Sequence, residues 1–160
     1  QNYSPKSIYP LLNMMQGVID GGTGRIVRRM GFKHPAGGKT GTTNDFKDAW
    51  FNGFTKTIST AVWVGYDNNK PMINRFKQGL TGASAAAPIW AFFMEKALKG
   101  RNKIKFSIPE GIKFEKVDVH SGTFVDDQSL ESTNVALKEE IVILPRDLKS
   151  YDISKEQEPK

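Results

Sequence analysis

Gly37-Gly38-Lys39-Thr40-Gly41-Thr42-Thr43 is the stretch whose reading decides the fold and the chemistry. Glycines precede a lysine, and hydroxyls and a third glycine follow it. A cation beside hydroxyls, on backbone that a ligand can approach closely, is suited to holding an anion. Gly38-Lys39-Thr40 invites comparison with a nucleotide-phosphate loop. That loop needs a glycine five residues before the second glycine, so that backbone amides wrap the phosphates. Position 33 is Lys33, and Gly31 falls two residues too early. The stretch also leads into a strand, so no helix N-terminus points at a phosphate. Nucleotide binding is therefore set aside.

Working outward, Pro35 to Asn44 reads as an extended strand, Asp45 to Asp48 as a turn, and Ala49 to Phe54 as a second strand. Thr55-Lys56-Thr57 makes a tight turn. Ile58 to Tyr66 is a third strand, rich in β-branched and aromatic residues. Apolar residues fall on both of its parities, so both faces are expected to be covered. Upstream, Ser4-Pro5 is a helix start with a serine cap. Ile8, Leu11, Leu12, Met15, Val18 and Ile19 follow as one core-packing face, and Gly21-Gly22 ends the helix. Arg25 to Met30 reads as a helical turn or an edge strand. Asp67 to Pro71 is a loop, and 72–82 is irregular. Thr81 or Ser84 caps a second helix with Ile89, Phe92, Phe93 and Ala97 on its apolar side, closed by Gly100. Helices over one antiparallel sheet predict an α+β fold. Pro109-Glu110-Gly111 marks a boundary. Beyond it a small hairpin is expected in 112–125 around Ser121-Gly122, and Ile141 to Leu144 is a strand candidate. Tyr151 to Lys160 reads as disordered. Gly22-Thr23-Gly24 has Val27 where a dinucleotide loop needs its third glycine, and it follows a helix rather than a strand.

Composition narrows the functional classes. The chain has 160 residues, enough for one ordinary core, and 38% of them are hydrophobic. Cysteine is absent, which excludes disulfides, thiolate catalysis and cysteine zinc sites. His34 and His120 have no partner at ligand spacing and read as surface histidines, so no metal is expected. Residues 1–100 carry thirteen Lys/Arg against five Asp/Glu, and residues 101–160 carry ten against twelve. A basic body favours an anionic partner. Nucleic acid is not expected, because the cations are scattered apart from Arg25, Arg28 and Arg29 and no nucleic-acid motif accompanies them. No apolar run is long enough to span a membrane. Gln1 is not an initiator, so the chain reads as a piece of something longer.

Lys-Thr-Gly on a strand is also one signature of serine acyl-transferases that act on penicillin and D-alanyl-D-alanine. Here it has context. Lys39 to Asp45, Asp48-Ala49-Trp50-Phe51-Asn52-Gly53-Phe54 and Ala61-Val62-Trp63-Val64-Gly65-Tyr66-Asp67 together closely resemble the class A high-molecular-mass penicillin-binding proteins, of the 1A type. Ala85-Ala86-Ala87-Pro88-Ile89-Trp90 resembles their following helix. Met15-Gln16-Gly17-Val18 with Gly22-Thr23-Gly24 resembles their preceding helix and loop. The resemblance covers about residues 4 to 100. It implies the C-terminal part of a transpeptidase domain over 1–108, a small β-rich tail segment over 109–150, and a disordered end over 151–160. It also implies a cell-envelope location, on the outer face of the cytoplasmic membrane.

By this resemblance Lys39 supplies positive potential and helps proton transfer, and Thr40 and Thr42 bind the carboxylate of the stem peptide or of a β-lactam. The backbone N–H of Thr42 is one oxyanion donor, Gly41 lets substrate lie against the strand, and Thr43 belongs to the substrate-binding group. No cofactor is implied. The same signature set demands a Ser-x-x-Lys nucleophile and a Ser-x-Asn motif earlier in the chain. No serine here has lysine three residues later. Ser132-Thr133-Asn134 and Tyr66-Asp67-Asn68 match the second pattern only in letters, after Lys39 rather than before it. The expected partners are therefore peptidoglycan stem peptide, β-lactams and the remainder of the transpeptidase domain. The alternative is a non-catalytic module that binds an acidic peptide or a protein. A β-lactamase-like hydrolase is disfavoured by the residues after Lys-Thr-Gly.

Overall fold

The computed structural model describes residues 3–125 and 132–139. It divides into two compact units, 1–109 and 110–160. Ile141 to Leu144 and Tyr151 to Lys160 lie outside the described residues.

The first unit begins with α1, Pro5–Asp20. Ser4 has extended backbone, and its hydroxyl accepts from Ser7 N at 3.3 Å, satisfying one of the orphan amides of the first turn. The helix ends where Gly21 and Gly22 both donate to Gly17 O at 3.0 Å. Its apolar face is less buried than the sequence pattern predicts. Tyr9 and Ile19 are in the core, but Ile8 and Leu11 remain exposed. Arg25 to Met30 resolves as a single helical turn, α2, Ile26–Arg29. Arg28 then ties the following segment down. Its Nε pairs with Asp20 at 2.8 Å, and Nη1 donates to Phe32 O and His34 O. This corrects the reading of His34 as a surface residue: it is 9% exposed, its ring 5.6 Å from that of Phe32.

Three strands follow, β1 Gly37–Thr42, β2 Asp48–Phe54 and β3 Ser59–Gly65, antiparallel and in that order. Alternation along β2 buries Ala49, Phe51 and Gly53 on one face, while Trp50 and Asn52 stand on the other. The register places Thr42, Thr40 and Gly38 opposite the buried set, and Lys39 and Gly41 opposite Asn52 and Trp50. Residues 72–81 cross as an irregular segment pinned by Met72 N to Phe46 O and Leu80 N to Met72 O. Thr81 caps the next helix, with Ser84 completing a reciprocal capping box. The first turn is π-helical, Gly82–Ala86, and runs directly into α3, Ala87–Ala97.

The packing of α3 differs from expectation. Ala87, Trp90, Ala91 and Met94 face the core, whereas Ile89, Phe92 and Phe93 are 50%, 60% and 48% exposed. Small residues at 87 and 91 let the helix approach, and Trp90 drops onto the sheet beside Gly53. A Cβ at Gly53 would lie 2.6 Å from the indole. Trp90 Nε1 donates to Gly53 O at 3.3 Å and Thr60 O at 3.1 Å, and its ring meets Phe32 and Phe51 edge-on. One parity of β3 is half-buried along its length, namely Thr60, Val62 and Val64. Ala61 and Trp63 are exposed, so the expectation of two covered faces does not hold for this strand.

The second unit contains β4, Ile112–Asp118, and β5, Ser132–Lys138, paired antiparallel from Ile112↔Lys138 to Asp118↔Ser132. The expected local hairpin reduces to one bridge, Val117↔Phe124, around a turn with Gly122 at positive φ. The main partner of β4 is instead the segment holding Ser132-Thr133-Asn134. In the turn, Asp118 Oδ1 accepts from His120 N, Ser121 N and Ser121 Oγ. The Ser121 amide and hydroxyl, then the His120 amide, hold this carboxyl below its usual range.

Candidate functional site

The candidate wall is β1, an edge strand: among the described residues only β2 pairs with it. The glycines before Lys39 are there for packing. A Cβ at Gly38 would come within 2.8 Å of both Asn52 O and the Phe51 ring, and one at Gly37 within 2.8 Å of the Phe54 ring. Gly41 is set against Trp50, whose Cβ would be 3.1 Å from an added side chain. Close packing by the Phe51, Phe54 and Trp50 side chains, and at Gly38 by the Asn52 carbonyl, thus constrains these positions before any ligand is considered.

Lys39 is exposed, and its Nζ donates to Thr40 O at 2.8 Å. No carboxylate pairs with it among the described residues, and two ammonium protons remain for a ligand. Thr40 and Thr42 point to the opposite face by strand alternation. Each meets a partner distant in sequence. Thr40 Oγ1 lies 2.9 Å from Thr23 Oγ1, in the loop after α1. Thr42 Oγ1 accepts from Gly82 N at 2.9 Å, at the start of the π-helical turn. That second bond has a chemical consequence. A hydroxyl already accepting an amide proton is oriented to donate its own, so Thr42 presents an O–H donor. Lys39 and the two threonines therefore flank the free edge of β1 from both sides. An anion lying along that edge could be reached by the ammonium and by hydroxyl donors.

Thr43 stands apart from this group. Its hydroxyl accepts from both Lys47 N and Asp48 N at 3.0 Å, closing the turn into β2, so its lone pairs serve local structure while its own O–H remains to donate. Sequence reasoning singled out Lys39 to Thr42 but not Gly82, which no motif marks. Thr23 had a signal, its place between two glycines, but not an assigned role. No group of three or more His, Asp or Glu side chains among the described residues could hold a metal.

Comparison with known proteins now bears on the same segment. Penicillin-binding protein 1A of Rickettsia conorii is 40% identical over 116 residues, 72% of this chain. That of Neisseria gonorrhoeae is 39% identical over 112 residues, 70% of the chain. The crystal structure of penicillin-binding protein 1A from Haemophilus influenzae matches with a TM-score of 0.67 at 29% identity, covering 83% of this chain and 20% of that one. The chain belongs to the penicillin-binding protein 1A type. It spans about one seventh of the length of these curated relatives, 14% of the Rickettsia protein and 13% of the Neisseria one. No family model matches it. As a penicillin-binding protein 1A segment it has the α+β architecture of an antiparallel sheet with helices. No helix among its described residues is long and apolar enough to cross a membrane.

Proposed function

We propose that this chain supplies one wall of the active site of a peptidoglycan DD-transpeptidase, with residues 1–108 as the C-terminal part of that domain. The reaction is acyl transfer from a D-alanyl-D-alanine stem peptide, or acylation by a β-lactam that mimics it. Lys39 provides positive potential beside the reacting serine. Thr40 and Thr42 hydroxyls bind the ligand carboxylate, and the Thr42 N–H is one oxyanion donor. Thr43 stays in the substrate-binding group through its O–H, its lone pairs being engaged in the turn. The nucleophile comes from outside these 160 residues, since no serine here is followed by lysine three residues later. The working partners are then stem peptide, β-lactam and the remainder of the domain, on the outer face of the cytoplasmic membrane.

The observation that carries this reading is the Gly82 N–H held by Thr42 Oγ1, which leaves the hydroxyl proton free to meet a carboxylate beside an ammonium that forms no ion pair among the described residues. A fluorescent penicillin tests it. The chain alone should form no covalent adduct. A complete transpeptidase carrying this segment should be acylated, and Lys39→Ala should slow that step about 10²–10³-fold. A stable adduct on the isolated chain, or unchanged acylation in the variant, would overturn the assignment. The second reading, a non-catalytic module for acidic peptides, draws on the exposed Lys39 and on the missing Ser-x-x-Lys. It predicts carboxylate-dependent binding with no acylation in any context.

A further inference from the structure

A cavity of about 350 Å³ opens where α1, the segment before β1 and residues 105–108 come together. Its volume lies toward the small end of the range for small-molecule sites. Tyr9, Pro35, Phe106 and Ile108 supply apolar walls, and Gln16 adds a half-buried amide. None of Lys39, Thr40 and Thr42 lines it.

Its charged lining is uneven. Arg28, Lys33 and Lys105 stand against one carboxylate, Asp20, which Arg28 Nε already binds at 2.8 Å. Lys33 and Lys105 form no ion pair among the described residues. Packing of their neighbours, not a counter-charge, holds both in place. Arg28 Nη1 clamps the carbonyls of Phe32 and His34, whose side chains are buried, so Lys33 between them is turned outward. Lys105 precedes Phe106, whose ring lies 5.8 Å from that of Phe54, and Ser107 Oγ accepts from Lys56 Nζ at 3.2 Å. Burial raises the Tyr9 phenol above its ordinary pKa, so that wall stays uncharged. Two ammonium groups anchored on separate segments, beside a small apolar chamber, match a compact dianion. A single carboxylate would leave one cation unmatched. A phosphate monoester carries roughly two negative charges and several acceptor oxygens.

We propose that this cavity binds a phosphate monoester on a compact apolar body, with Lys33 and Lys105 on the phosphate and Tyr9 and Phe106 against the body. Neither role depends on the transpeptidase wall.

Phenyl phosphate is the probe. It is titrated into the ¹⁵N-labelled chain in about 0.15 M salt, beside inorganic phosphate, which lacks the ring, and benzyl alcohol, which lacks the charge. Phenyl phosphate should bind at least about tenfold more tightly than either, with amide shifts centred on Lys33, His34 and residues 105–108. Lys33→Gln with Lys105→Gln should weaken phenyl phosphate by about tenfold and leave benzyl alcohol unchanged. Lys99→Gln with Lys103→Gln removes the same charge from outside the lining and should leave affinity within about twofold, because salt screens distant charges. All four side chains are exposed, so both variants keep the core. Equal losses in the two double variants would mean attraction to net charge alone and would overturn the site. So would phenyl phosphate binding no tighter than inorganic phosphate, or shifts centred away from the cavity.

Discussion

Thr42→Val exchanges a hydroxyl for a methyl of nearly the same size, so it leaves no cavity and isolates one hydrogen bond. That bond joins Gly82 N to Thr42 Oγ1 at 2.9 Å. Gly82 is buried and opens the π-helical turn, so its amide has no acceptor within the helix. Gly82 is packed close to the Trp50 and Gly41 carbonyls, although Thr42 itself is exposed, so the loss should fall toward the lower part of the usual range. An unsatisfied buried donor costs about 1–3 kcal/mol. For a domain of this size, urea sensitivity is about 1–3 kcal/mol per molar, so at mid-range values the midpoint should fall by about 1 M. Thr42→Ser keeps the oxygen and should remain within about 0.5 M of the parent. Urea titration followed by far-ultraviolet circular dichroism measures all three proteins. Equal midpoints for the valine and serine variants would refute the argument that this hydroxyl satisfies Gly82. The comparison also guards the functional test, since ligand affinity of the valine variant must be read at matched folded fraction.

Gly82→Ala should be more damaging still, because its Cβ would sit 2.2 Å from Trp50 O and 2.6 Å from Gly41 O. Backbone on both sides cannot yield, so a loss above about 3 kcal/mol is expected, and a parent-like thermal midpoint would contradict it. Gly17→Ala is the counterpart in α1. Nothing lies within 4 Å of the added Cβ, so helix stability should rise by about 0.5–1 kcal/mol, visible as a higher melting temperature. The Asp118 carboxyl, held down by the Ser121 and His120 donors, should titrate below an ordinary aspartate in a carbon-detected pH series. Because its folded-state pKa is depressed, its support for the turn is present above the ordinary carboxylate range and is lost as pH falls through the depressed value. An Asp118 titration at or above the ordinary aspartate position would remove that role.

The hairpins of the first unit could be read from residues alone, because turn chemistry and β-branched runs act locally. Ser4-Pro5 and Gly21-Gly22 likewise bracket α1 as expected. The orientation of α3 could not be read in this way. Large apolar residues occur around most of that helix, so periodicity does not say whether Trp90 and Met94 or Phe92 and Phe93 turn inward. Close approach at Ala87, Ala91 and Gly53 decides it, and small residues leave little trace in a hydrophobic pattern. β5 escaped notice because Ser132 to Lys138 is largely polar and draws its pairing from β4. At the candidate site, Lys39 to Thr42 stand out by chemistry. The bonds that orient them come from residues 17 and 40 positions away, a separation no local motif encodes.

The indole of Trp90 has a role in the fidelity of assembly. Its single N–H reaches the carbonyls of both Gly53 and Thr60, residues that face each other across β2 and β3. A β3 hairpin that closed one residue out of step would offer it the wrong carbonyl and would turn Val62 and Val64 away from the helix. The helix therefore inspects the strand alignment as it docks, accepting one pairing and leaving a stranded donor in any other. Its fluorescence should report that inspection, changing only when the two strands have met in register.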